Sequence, residues 1–118
     1  MIELLVVATI MIVLTAIGLV SYTQLNQNAR NNKRKADLET IRQALVLYRT
    51  DAGSYPDTSN YDTMMTTIAD YISTTSIRDP KDTGSYVYSY TAGGSGATFE
   101  ICALLEPGSD PPYCLDNP

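Results

Sequence analysis

The chain has no histidine, no tryptophan and a single phenylalanine in 118 residues. Without histidine, the commonest general base and the commonest side-chain metal ligand are both missing. No nucleophile stands beside a base, and no phosphate-binding loop or metal-ligand spacing occurs, so the sequence predicts no enzyme, no cofactor and no metal centre. The net charge of −5 supplies no broadly basic surface, and no specific nucleic acid is expected as partner. Cysteine is limited to Cys102 and Cys114. That pair is close enough in sequence for a disulfide across a short loop in an oxidising compartment, worth roughly 3 kcal/mol by chain entropy.

Two further absences shape the N-terminal half. Charge is missing from Leu4 to Val20, and glycine and proline are missing from Ser21 to Ala52. The first stretch, as a helix, is about 26 Å long and, extended by Met1, Ile2 and Tyr22, can cross a hydrocarbon layer of about 30 Å. A cleaved signal peptide is the competing reading, and Ala16-Ile17-Gly18 offers the small residues it needs. However, its basic leading segment is absent: only Met1, Ile2 and Glu3 precede the run. An ordinary anchor leaves Glu3 unexplained. A neighbouring copy's terminal amine, placed against that carboxylate, would offset its desolvation.

From Ser21 onward the chain turns polar without a helix breaker, and Leu38, Ile41, Ala44, Leu45 and Tyr48 recur on one helical face. The reading is one helix from the apolar run to about Thr50, roughly 75 Å long, with its amphipathic half covered by a sheet. Gly53 can close such a helix in the left-handed conformation, and Pro56 prevents its continuation. A short second helix is predicted between Ser59 and Ile72, with Met64, Met65, Ile68, Tyr71 and Ile72 at helical spacing and Ser59, Asn60 or Asp62 as its cap. The period then changes to two. Tyr86, Tyr88 and Tyr90 share one strand face, Phe99, Ile101, Ala103 and Leu105 another, and the segment AGGSGA turns the hairpin between them. The three tyrosines read as core rather than as a sugar- or peptide-binding face. The C-terminal EPGSDPPYCLDNP shows little regular potential. The basic cluster Arg30, Lys33, Arg34 and Lys35 reads as a solvated helix face paired with Asp37 and Glu39.

The opening IELLVV resembles the start of mature type IV pilins and of the pseudopilins of type II secretion. The stretch YRTDAGSYP resembles the way pseudopilins leave their spine helix. The resemblance implies an α+β fold: a long N-terminal spine, residues 1–23 apolar and 24–53 amphipathic, carrying a head over 54–118 with a small antiparallel sheet. It implies a leader removed by a prepilin peptidase, two residues ahead of Met1 and a methylated terminus. Glu3, with the amine near Met1, would set assembly register. Leu4, Leu5, Val6 and Val7, with Ile10, Val13, Leu14 and Ile17, would form the filament core. Gly18 would be the weak point, with any unwinding placed at Thr15 to Ser21. Tyr48, Asp51, Gly53, Tyr55 and Pro56 would form the helix exit, and Cys102 with Cys114 would bound the C-terminal region.

The partners implied are further copies of the chain in a helical filament, the membrane before assembly, and a pilus or secretion assembly machine. The leading reading is a major pilin, inserted in the cytoplasmic membrane and then extracellular on the cell surface. The alternatives are a major pseudopilin of type II secretion and, in a different class, a monomeric membrane-anchored binding protein. The disulfide and the glycine-rich hairpin lean mildly to the pilus. Secretion pseudopilins also imply a calcium-binding loop before the final strands. Asp79 and Asp82 could offer oxygen ligands there, but calcium takes about six to eight and the sequence reads them instead as turn and cap residues.

Overall fold

In the computed structural model, which describes residues 1–73, 76–108 and 111–118, a single helix organises everything else. Helix α1 runs Ile2–Ala52, 51 residues, and the molecule measures 77 × 28 × 24 Å. At about 1.5 Å per residue the helix alone accounts for the long dimension. It passes through Gly18 without a break. It ends where the sequence places its stop: Gly53 adopts φ 88° and its N–H donates to the Arg49 carbonyl at 2.7 Å. The glycine has no Cβ to clash in that left-handed turn.

Helix α2, Tyr61–Thr67, is capped by Asn60, whose Oδ1 accepts from the Thr63 N–H at 2.9 Å. It is shorter than the predicted span, since a 3-10 turn over Ala69–Tyr71 replaces its last part. Three antiparallel strands follow: β1, Ser89–Gly93; β2, Thr98–Ala103; and β3, Tyr113–Asp116, in the order β1-β2-β3. The register sets Tyr90 opposite Ile101 and Cys102 opposite Cys114. β2 and β3 lie on α1, while β1 faces α2.

The core is the stripe read from sequence. Leu38, Ile41, Ala44 and Leu45 share one buried cluster with Met64, Met65 and Ile68 and with Tyr88, Tyr90, Phe99, Ile101 and Ala103. Each buried tyrosine finds a partner for its hydroxyl: Tyr88 donates to Asp37 at 2.7 Å, Tyr90 donates to the Pro56 carbonyl at 2.8 Å, and Tyr55 accepts from Arg49 at 3.4 Å. Two expectations need correction. Strand β1 begins only at Ser89 and β2 ends at Ala103, so Tyr86 and Tyr88 lie ahead of the one, Tyr86 in the turn closed by Thr83, and Leu105 lies past the other. The C-terminal segment, apart from Ser109 and Asp110, which lie outside the described residues, is less irregular than expected: it contributes β3. A four-residue strand flanked by prolines has no period to read, and its register comes from pairing with β2 and from the Cys102–Cys114 disulfide directly across that pair.

The hairpin tip is keyed to the helix exit. Tyr55, buried against Phe99 with ring centroids 4.6 Å apart, donates its N–H to the Gly96 carbonyl at 2.8 Å. Gly96 has φ 91°, and a Cβ there would stand 2.5 Å from the Tyr55 carbonyl oxygen. Gly96→Ala is therefore expected to destabilise the head by about 1–3 kcal/mol through strain and a backbone clash. Urea denaturation of the full chain in detergent checks this; an unchanged midpoint would show that the tip is not keyed to Tyr55.

Candidate assembly site

From Ile2 to Val20 the helix touches nothing in its own chain. Every large apolar residue of this stretch is more than half exposed, from Val6 at 51% to Ile2 at 77%. The expected filament-core residues all lie there. By length and composition the helix can cross a membrane, and none of its most apolar window is buried within the chain. Its hydroxyls make no demand for water: Thr9 donates to the Leu5 carbonyl at 2.8 Å and Thr15 to the Met11 carbonyl at 2.7 Å. From Leu5 onward the backbone N–H groups and the threonine hydroxyls are satisfied inside the helix, as a non-aqueous surrounding requires. Glu3 is the exception. It is exposed on the first turn and makes no ion pair with another described residue.

The expected helix exit is assembled by the head. Tyr48 packs edge-on against Tyr71 at 5.8 Å, and Asp51 accepts from the Tyr71 hydroxyl at 2.8 Å. Tyr48 and Tyr55 thus pack on separate partners, not on each other. Pro56 contributes its carbonyl to Tyr90. Below the exit, where the free helix enters the head, lies a cluster that sequence reading misassigned.

The basic segment is only partly a solvated face. Lys33 does pair with Asp37 at 2.9 Å, and Glu39 pairs with Arg42 at 3.5 Å. Lys35 sits 5.4 Å over the Tyr113 ring. Arg34, however, is wholly buried, because the head closes over it. It donates twice to Asp79, at 2.8 and 2.9 Å, and once each to Glu106 at 3.0 Å and Asn31 at 2.8 Å. Arg30 forks onto the Glu106 carboxylate, and Lys81 reaches the same carboxylate at 2.9 Å. Asn31 closes the group, accepting from the Glu106 N–H at 2.8 Å and donating to its carbonyl at 3.1 Å. The signal was present in the sequence: positions 34, 38, 41, 45 and 48 form one stripe, and Arg34 is the cation in it.

Asp79 also plays the turn role expected of it, accepting from the Lys81 N–H at 2.9 Å. It does not fit a calcium loop. Both its carboxylate oxygens are held by Arg34, and the groups gathered around it and Glu106 are cations, where calcium requires a shell of oxygens.

A model of the family described as type II secretion system protein G matches residues 21–111. The chain belongs to that family. Protein G proteins are pseudopilin-like structural subunits of a secretion system, and the fold agrees: a long spine with a three-stranded antiparallel head. The match covers the amphipathic half of the spine and nearly all of the head, including the Arg34 cluster, and it starts after the free apolar stretch. The opening IELLVV is therefore a separate observation from the family match. Comparison with curated proteins and with solved structures yields no significant match.

The charges in the cluster act on each other in a predictable direction. Hydrogen bonds from Arg30 lead in holding the Glu106 carboxyl well below the ordinary 4.5; burial opposes them, and Lys81 and Arg34 add to them. Burial pushes the Asp79 carboxyl up, but hydrogen bonds from Arg34 and the Lys81 N–H outweigh it and bring it below the ordinary 3.8. Arg30 and Lys81 at the rim of the cluster are partly exposed, so water screens their share of it. Losing one partner then costs toward the low end of the roughly 3–5 kcal/mol typical of a broken buried pair. Glu106→Gln is expected to cost about 3 kcal/mol in urea denaturation, since it removes the carboxylate charge shared by Arg30, Arg34 and Lys81 and leaves Arg34 to Asp79 alone.

Both carboxyls protonate more readily in the unfolded chain than in the folded one. Their stabilisation is complete above the unfolded values of 4.5 and 3.8 and is lost as pH falls below them. Wild-type stability should be level near neutrality and fall from about pH 4.5 downward, with a shallower fall in Glu106→Gln. Equal slopes would remove Glu106 from the acid response.

Proposed function

We propose that the chain is a filament-forming subunit of a type II secretion pseudopilus, held in the membrane by the free half of α1 before assembly and packed by that same half afterwards. The observation carrying this reading is the exposed apolar stretch from Ile2 to Val20 on a chain whose remainder matches protein G. An apolar rod with no cover of its own needs lipid or other rods, and side-chain packing in a non-aqueous setting joins such helices. Residues Leu4 to Val20 supply the shared core of the filament. Glu3 supplies register: an unpaired acid near the end of an apolar helix gains a partner when a neighbour's terminal amine approaches, and only one stagger allows this. Gly18 marks where the helix yields first if packing demands it, because glycine costs a helix interior about 0.5–1 kcal/mol relative to alanine.

A pilus displayed on the cell surface is the second reading. It is supported by the disulfide-bound segment between Cys102 and Cys114, which would reinforce a head exposed outside the cell. The two readings differ in what the cell loses. Deleting the chain in its host should abolish export of secreted proteins if it is a pseudopilin, and should abolish surface filaments while leaving export intact if it is a pilin.

In either filament, Glu3→Ala is expected to leave the subunit inserted in the membrane while filaments fall by at least about tenfold, the effect of roughly 1.4 kcal/mol per subunit contact. Membrane fractionation together with electron microscopy of sheared or overproduced filaments measures both. Normal filament numbers from the variant would rule out the register role.

A further inference from the structure

Two carboxylates from distant parts of the head converge on one guanidinium. Asp79 arrives on the loop leading to β1 and Glu106 on the loop leaving β2, and Arg34 reaches both from the spine. A divalent ion performs this task in many loops: it collects carboxylates from separate segments and fixes their spacing. Here the task is taken by side chains of the protein. Three cations, Arg30, Arg34 and Lys81, surround two carboxylates, so the cluster carries one excess positive charge. The Tyr86 ring lies against it, 5.1 Å from the Arg34 guanidinium and 4.8 Å from the Lys81 ammonium. An incoming divalent cation would meet like charge and would have to strip Asp79 of both its bonds to Arg34.

We infer that Arg34 is a built-in cation clamping both loops to the spine, and that the head folds and keeps its shape without calcium or any other divalent ion. The calcium loop implied by resemblance to secretion pseudopilins is replaced in this chain by a guanidinium. Position also matters. The clamp sits where the free helix enters the head, so it ties the orientation of both loops to the helix that packs in the filament.

The test uses the full chain in detergent micelles. Thermal unfolding after treatment with a chelator is expected to fall within about 1 °C of that in millimolar calcium, since a ligand that binds only the folded state would raise the midpoint by mass action. Calorimetric titration with calcium chloride is expected to give no saturable heat. Saturable binding near one ion per chain, with a midpoint raised by several degrees, would overturn the inference.

Arg34→Met is expected to speed hydrogen exchange over residues 76–87 and 104–108, while the hairpin over 89–103 stays protected, and calcium should not restore the lost protection. Unchanged exchange in those two loops would remove the clamp. Should that variant fail to fold, Asp79→Asn, which keeps the side-chain volume, is judged by the same exchange pattern, and the wild-type calcium comparison stands without any variant.

Discussion

A helix of 51 residues cannot be covered by a head built from the remaining chain. The head meets α1 from Arg30 to Asp51, and the apolar stretch from Ile2 to Val20 is left without cover. Hydrophobic burial, the main favourable contribution to folding, is therefore split between two settings. One stripe of α1 is buried within the subunit. The entire circumference of the other end remains to be buried by something outside it. The proposed membrane insertion and the proposed filament both follow from this division, because the apolar end has no cover of its own within the chain.

The join between the two halves carries charge instead of apolar contacts. From Leu38 toward the helix exit, the stripe is buried with Tyr88, Tyr90 and Phe99; one turn nearer the free end, the same stripe presents Arg34, and the head answers with Asp79 and Glu106. Such a cluster adds little net stability over an apolar replacement, but it is costly to break in part. That makes it a locator rather than an adhesive. It fixes which turn of the helix the loops meet, and an apolar contact, being non-directional, would tolerate sliding. The disulfide pairing Cys102 with Cys114 does comparable work within the sheet, holding β3 to β2.

The helix, its stop at Gly53, a cap among Ser59, Asn60 and Asp62, the hairpin and the core stripe were legible because each is a local pattern: period 3.6, period two, a capping residue or a turn-forming glycine. The extent of α2 and the start of β1 were less so, since element ends are decided by neighbours. Tyr86 shows why. Its position in the alternation reads as strand, yet the ring is placed by Arg34 and Lys81, residues that the sequence separates from it in one case by half the chain. The same holds for β3, whose four residues carry no period of their own.

By itself, the amino-acid sequence determined that an uncharged apolar rod leads into an amphipathic helix of the same axis, that a small sheet covers one stripe of that helix, and that a lone acid stands at the rod's end. These are properties of spacing and composition, and spacing along a helix or strand converts directly into direction in space. Only the tertiary structure decided that Arg34 is buried while Lys33 beside it is exposed, and that Asp79 and Glu106 close over it as a clamp. Whether a charge faces water or a carboxylate depends on which distant loop arrives above it, and loop placement is set by the packing of the whole head, not by any local run of residues.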